Sequence, residues 1–441
     1  MIKLFNNDKK LIKNFYSGIF NRLVAIGLQI VLIPIYIAIW GSEFYGEWLL
    51  LSTIPAYLTA SDFGLNVTVT TAISALVAQK KQIDAIRIYQ SASKAITYIG
   101  ITVIFFSATL LYFFNLSSFL RLKMINENES EISILLLIIG VFVTFIIGLS
   151  LGIYRAEGRY DKSQNGVTII QIFDAFVILL VIKIANNIIV ITFFQLIFRI
   201  FYLVLINKDL KNKYNWFNFG INESLEYVKN LIPTSVYYMI AIIGQGFIIQ
   251  GTSFIIGKQL GAQQLVLFNT LRTLTNSIKS FSNTYYMSFL PNFTELLAQN
   301  KLVNARKLFM NVFKNTILIG VSFIIVYYLF GEWFFKFWTH NKIPFNENLF
   351  LVLLISAFVS TLNNCGYTVL NSINQNKTMG IYYSFLATIA TLVMYYISNK
   401  SVVLIAMLIT LVEFIILLIV LQQVYLIVTG RKKEIMQYET L

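Results

Sequence analysis

The sequence predicts an all-α, polytopic membrane protein of about twelve transmembrane helices, arranged as two parallel six-helix bundles. Three observations predict it. First, 57% of the 441 residues are hydrophobic and only 12% are charged, whereas a soluble chain of this length needs far more charge to stay dissolved; the mean hydropathy is +0.71. Second, apolar runs recur at about the 20 residues that cross a hydrocarbon core as a helix. They lack the alternation of barrel strands, and only helices or closed barrels satisfy their backbone in lipid. Third, the chain repeats itself at an offset of 220 residues.

The spans are read at roughly 15–39, 45–78, 95–114, 132–154, 166–184, 188–206, 231–256, 265–290, 315–337, 349–373, 379–397 and 401–428. The second and eighth exceed what a membrane requires, so both tilt or project beyond it. The fifth and sixth are separated only by Ala185-Asn186-Asn187. The N-terminus, Met1 to Lys13, is polar and basic and lacks the short apolar core of a signal peptide, so the first span is expected to direct insertion.

Lys and Arg set the orientation. With the N-terminus inside, 23 of the 34 lie in cytoplasmic segments, in clusters such as Lys80/Lys81/Arg87/Lys94 and Lys301/Arg306/Lys307/Lys314; about 7 lie outside and 4 lie within spans. Both termini are therefore expected in the cytoplasm. Basic inner loops facing anionic lipid account for the net charge of +14 without any nucleic acid.

The repeat sets the domain organisation. At the 220-residue offset, Ala78–Tyr89 falls on Ala298–Phe309, Gly41 meets Gly261 and Lys94 meets Lys314. Six spans per half is an even number, so the halves share one orientation, a transporter architecture. The expected organisation is an N-terminal bundle over 1–206, a cytoplasmic linker over 207–230, a C-terminal bundle over 231–428 and a cytoplasmic tail over 429–441.

Seven ionisable residues fall inside the spans: Arg22, Asp62, Asp174, Arg199, Arg272, Lys279 and Glu413. A charge at the bilayer centre costs about 2.5–3.5 kcal/mol even on a lenient scale, so such residues face a bundle interior or water. Arg22 and Arg199 lie about two turns from the cytoplasmic boundary and can snorkel. Lys279 lies near the middle of the eighth span and cannot.

In that span Asn269, Arg272, Asn276, Lys279 and Asn283 recur at spacings of 3 and 4, on one helical face. An interhelical hydrogen-bond seam is the bland reading; two cations on the stripe without a local acid favour a substrate-facing one. The repeat-related second span carries a weaker stripe of Ser52, Thr59, Asp62, Asn66 and Thr70, so the halves are expected to offer polar walls to one central cavity. Asp62, Asp174 and Glu413 are candidates for ion coupling, as proton carriers, cation ligands or counter-charges. A cationic cavity suits a phosphate or pyrophosphate headgroup. No cofactor is expected: the single His340 and single Cys365 make no metal cluster, and nothing resembles a nucleophile–base pair.

Several motifs carry a resemblance. Trp40-Gly41-Ser42-Glu43-Phe44-Tyr45-Gly46 joins the first two spans, and Ser61-Asp62-Phe63-Gly64-Leu65 follows in the second. Arg155-Ala156-Glu157-Gly158-Arg159 comes after the fourth span; Leu260-Gly261-Ala262-Gln263-Gln264 opens the eighth, which contains Arg272 and is closed by Pro291. In order and spacing these resemble the polysaccharide transporter family, the O-antigen and capsular-type flippases of the multidrug/oligosaccharidyl-lipid/polysaccharide superfamily. Lipid II flippases of that superfamily have two extra spans, which are not found here.

The resemblance implies a V-shaped, MATE-like pair of bundles working by alternating access in a bacterial inner membrane. It implies an undecaprenyl-diphosphate-linked oligosaccharide as cargo, coupling to protons or sodium, and a polysaccharide polymerase and chain-length proteins as partners beside the membrane lipids. Carried over, the cationic site falls on Arg22, Arg272 and Lys279, with Arg199 beside them. A multidrug or organic-cation antiporter of the same fold is the alternative, though its cavity should be acidic. A membrane polymerase or ligase needs a larger external segment than the longest one here, about 115–131, so no enzyme activity is expected.

Overall fold

The computed structural model describes residues 9–61, 65–184, 187–229, 231–232, 239, 243–373, 376–397 and 401–430. Among the described residues the chain is helical, without strands, and nine helices are long and apolar enough to cross a membrane. Ten of the twelve predicted spans fall on these nine helices, the second running on into Leu65–Ala78; the eighth falls on Ala262–Met287, which is not among the nine. Helix α1 (Lys9–Ser61) holds two of the spans, since it turns at Gly41, whose φ of 73° and ψ of 170° belong to neither helix.

The first unit, Met1–Met239, continues with α2 (Leu65–Ala78), α3 (Gln82–Phe113), the short α4 (Leu116–Leu120), α5 (Glu127–Ala156), α6 (Tyr160–Ile184), α7 (Ile188–Lys213) and the single turn α8 (Glu226–Lys229). The second unit, Ile240–Leu441, has a π-helical turn over Phe247–Gly251, then α9 (Thr252–Leu260), α10 (Ala262–Met287), α11 (Leu290–Ala298), α12 (Leu302–Trp338), α13 (Glu347–Asn371), α14 (Asn376–Ile397) and α15 (Val402–Val428). The boundary falls some way C-terminal to the linker read from sequence. Helix α7 runs on to Lys213, and the residues after it stay packed on the first unit. The predicted seventh span, 231–256, and the tail lie partly outside the described residues.

Each unit is built around one central helix. In the first, α7, α2, α3, α1 and α6 all pack on α5; in the second, α15, α10 and α12 pack on α13. Helices α5 and α13 start at Glu127 and Glu347, a separation equal to the repeat offset. Glycines let neighbours approach them: a Cβ on Gly152 would meet Thr70 Oγ1 at 2.5 Å, and one on Gly366 would meet Val420 Cγ1 at 2.3 Å. Outward faces such as Ile101, Phe105 and Phe106 of α3 are bare apolar surface suited to lipid.

The backbone carries the repeat more strictly than the side chains do. Gly41 and Gly261 share an extended, positive-φ conformation (73°, 170° and 93°, 168°) open essentially to glycine alone. Lys80 and Asn300 are both left-handed (61° and 54°), as are Arg121 and Asn341 (58° and 57°). Asn126 and Asn346 cap α5 and α13 in the same way, each side chain accepting from the backbone N–H three residues on.

Candidate functional site

The stripe on α10 begins at the helix's outer turn and descends two cations into the bundle. Arg272 is fixed by the neighbouring segment. Its Nη1 donates to the carbonyl of Ile249 at 3.0 Å and its Nη2 to Ser253 Oγ at 3.2 Å. The first acceptor lies in the π-helical turn, where the widened hydrogen-bond pattern leaves carbonyls free to serve side chains. Ser253 Oγ in turn lies 3.2 Å from Asn269 Oδ1, and the guanidinium sits 5.2 Å from the centre of the Phe268 ring. Asn269 and Arg272 thus form one ordered cluster, and every acceptor in it is neutral.

Lys279 lies two helical turns, about 10 Å, further along the same face. Among the described residues it has no carboxylate within the 4.0 Å of an ion pair. Its charge is felt by Glu413 and by Arg272. The side chains of Asn276 and Asn283 are half-buried, make no hydrogen bond among the described residues, and are not among the fully enclosed polar atoms. Helix α10 is long enough to span but too polar to count among the nine apolar helices, and this stripe is the reason.

Glu413, on α15, is buried at 6% exposure. Asn363 Nδ2 donates to Glu413 Oε2 at 2.7 Å and to the backbone carbonyl of Glu413 at 2.8 Å, and Tyr383 Oη donates to Glu413 Oε1 at 3.3 Å. Asn363 Oδ1 is enclosed and unbonded. The carboxyl therefore sits among neutral donors, with an idle acceptor beside it and Lys279 as the cation in its field. Sequence reading named Glu413 but missed Asn363 and Tyr383. The Asn363-Asn364 pair inside an otherwise apolar span was a signal for the first of them, and nothing in the sequence marked the second.

The first unit is arranged differently. Arg199 Nη2 donates to Asp174 Oδ2 at 2.6 Å, joining α7 to α6, and the guanidinium lies over Gly140, whose missing side chain makes the room. Asp174 is the counter-charge of Arg199 here. Asp174 Oδ1 and Arg199 Nε remain enclosed and unbonded. Arg22 is exposed on α1 with no ion pair among the described residues, beside Asn21, whose Nδ2 donates to Thr168 Oγ1 at 2.8 Å. Asp62 lies outside the described residues.

In the weaker polar stripe of the second span, Asn66 and Thr70 belong to a packing seam. Asn66 Oδ1 and Thr70 Oγ1 are enclosed against Gly148 and Gly152 of α5, and Thr59 Oγ1 donates to the carbonyl of Pro55 at 2.8 Å. Polar side chains on α2 spaced at helical intervals read alike whether they face water or a glycine groove, so spacing alone does not separate the two. Sequence reading also passed over Glu47. At 3% exposure its carboxylate accepts from the backbone N–H groups of Lys123, Met124 and Ile125 at 2.7–3.1 Å, pinning the loop before α5.

No protein-family profile and no curated protein matches the sequence. Solved structures do match the fold. A multidrug resistance MATE family transporter of the MOP superfamily in an inward-facing conformation superposes with a TM-score of 0.71 over 93% of this chain and 96% of that one, at 13% identity. An outward-facing structure of such a transporter gives 0.63 over 97% and 96%, at 11%. A MOP superfamily transporter from Pyrococcus furiosus, described as having a binding pocket of reverse polarity that suggests a different function, gives 0.62 over 95% and 96%, at 10%. The chain has the MATE fold.

Proposed function

We propose that this chain is a transporter of the MOP type that moves an anionic lipid-linked cargo, an undecaprenyl-diphosphate-linked oligosaccharide, across a bacterial inner membrane by alternating access. The observation that carries the reading is the surplus of positive charge on α10. Arg272 is held rigidly by neutral acceptors, and Lys279 has no ion pair among the described residues. A guanidinium positioned in advance and a flexible ammonium two turns away are suited to the two phosphates of a diphosphate, which each would bind by charge-assisted hydrogen bonds.

An organic cation would be repelled by the same stripe, and that weighs against a drug antiporter of the same fold. That pocket polarity can differ between transporters of this fold is supported by what is said of the Pyrococcus furiosus protein. For coupling, Glu413 is a better candidate than Asp174. A carboxylate held by an arginine at 2.6 Å has little reason to take up a proton or sodium ion, whereas Glu413 has only neutral contacts and an idle oxygen beside it. Asp62 stays a candidate on sequence grounds.

The test is complementation of a strain lacking its O-antigen or capsule flippase. Arg272→Ala and Lys279→Ala should each abolish surface polysaccharide at normal protein level. Full polysaccharide from the Lys279→Ala strain, or ethidium efflux by the parent that survives both substitutions, would overturn the diphosphate reading.

A further inference from the structure

Between α7 and the end of the first unit, the chain runs from Tyr214 to Lys229 with only one turn of helix. A loop joining two bundles ought to be slack, yet this one is fastened at six residues along its length. At its start, Trp216 Nε1 donates to Glu157 Oε1 at 3.0 Å. Phe217 follows at 2% exposure, edge-on to the Tyr89 ring at 5.1 Å. Tyr89 is itself immobile: it is fully buried, and its hydroxyl lies 2.8 Å from Ser150 Oγ, which donates to Asn207 at 2.9 Å.

The next contacts climb one face of α3. Gln90 Nε2 donates to the carbonyl of Asn218 at 3.0 Å, and Lys94 Nζ to the carbonyl of Glu223 at 3.3 Å. Arg87 approaches the Glu223 carboxylate at 3.9 Å and places its guanidinium 5.6 Å from the Tyr227 ring centre. Val228 then closes the segment at 2% exposure. The side chains that do the fastening, at 87, 90 and 94, recur at 3 and 4 and form one helical ridge.

We infer that Tyr214–Lys229 is a strap belonging permanently to the first unit, which stays docked on α3 throughout the protein's conformational cycle. The physical reason is cooperativity among unlike contacts. One apolar plug, two hydrogen bonds to backbone carbonyls and one charged pair over an aromatic ring must all release together before the segment comes free. A slack connector would need none of them. The consequence is that Tyr214–Lys229 takes up none of any relative motion between the units.

Two measurements on the full-length chain with Cys365→Ser test this. Nitroxide labels at Lys81→Cys and Asn222→Cys, both exposed positions, should give one narrow distance distribution by pulsed electron spin resonance, the same with and without sodium and in detergent or nanodiscs. Adding Phe217→Ala and Arg87→Ala should broaden it. A broad or two-peaked distribution in the unmutated strap would overturn the inference. Independently, bridging Gln90→Cys to Gly220→Cys with a short bis-methanethiosulfonate should leave surface-polysaccharide complementation, or ethidium efflux if that is what the parent performs, at the unbridged level. A fall of about ten-fold or more, restored by dithiothreitol, would mean the strap must undock for turnover. Failure of the cargo reading changes which of these activities is seen but leaves the distance distribution untouched.

Discussion

Asp174 and Arg199 show how much the surroundings of a charge decide its role. Their side chains are only 22% and 17% exposed, so each needs the other. Removing one partner of a buried pair costs about 3–5 kcal/mol, because the survivor is left charged and unpaired. Asp174→Asn alone should therefore lower the protein's melting temperature in detergent markedly, while Asp174→Asn with Arg199→Gln recovers most of it. If the double variant also transports at the parent rate, the pair is structural. Glu47 makes a second case: Glu47→Ala removes the acceptor of three backbone N–H groups, of which that of Ile125 is buried and costs about 1–3 kcal/mol to leave unpaired, and a melt should show it. Neither contact was legible in advance. Sequence marked Asp174 and Arg199 as buried ions but left open counter-charge, carrier or ligand, since pairing between helices depends on rotation about their axes, which spacing does not encode.

At the scale of the helix, close approach is made by glycine. The seam of α2 on α5 depends on Gly148 and Gly152, where a Cβ would meet Asn66 Oδ1 at 2.9 Å and Thr70 Oγ1 at 2.5 Å. Gly152→Val should overpack the seam by about 1–3 kcal/mol, seen as loss of folded protein in fluorescence-detected size exclusion. Gly27→Ala, with nothing within 4 Å of the added atom, is the matched control. The helices themselves were the readable part. The span at 132–154 sits within α5, and that at 349–373 matches α13 to two residues at each end, because apolar run length sets a membrane helix directly. Helix α3 begins at Gln82, well before the span read at 95–114, since a helix does not stop where its apolar run does. The π-helical turn at Phe247–Gly251 had no sequence signal. One of its carbonyls, that of Ile249, accepts from Arg272, a side chain that arrives from another helix.

On the scale of the whole chain, the 220-residue offset predicted two halves of like design, and the central helices α5 and α13 bear that out. The paired glycines provide a test. Gly41→Ala and Gly261→Ala each place a Cβ in a conformation costing about 1–3 kcal/mol. Both should lower the melting temperature by similar amounts although the side chains around them differ. Unequal effects would mean that one of the two joints relaxes freely. The polar interior was less legible than the joints: spacing placed Asn66 and Thr70 on a polar stripe, but not that they lie against the glycine groove of α5.

The matched torsions at Gly41 and Gly261, Lys80 and Asn300, and Arg121 and Asn341 have a bearing on ancestry. Dihedral angles at bends are inherited as architecture, because changing one redirects every atom downstream, whereas lining residues drift singly. A tandem gene duplication followed by divergence leaves this record: corners conserved, contents specialised. Alike at these corners, the halves differ inside: the first sets Asp174 against Arg199, and the second holds Arg272 and Lys279 in surplus over Glu413.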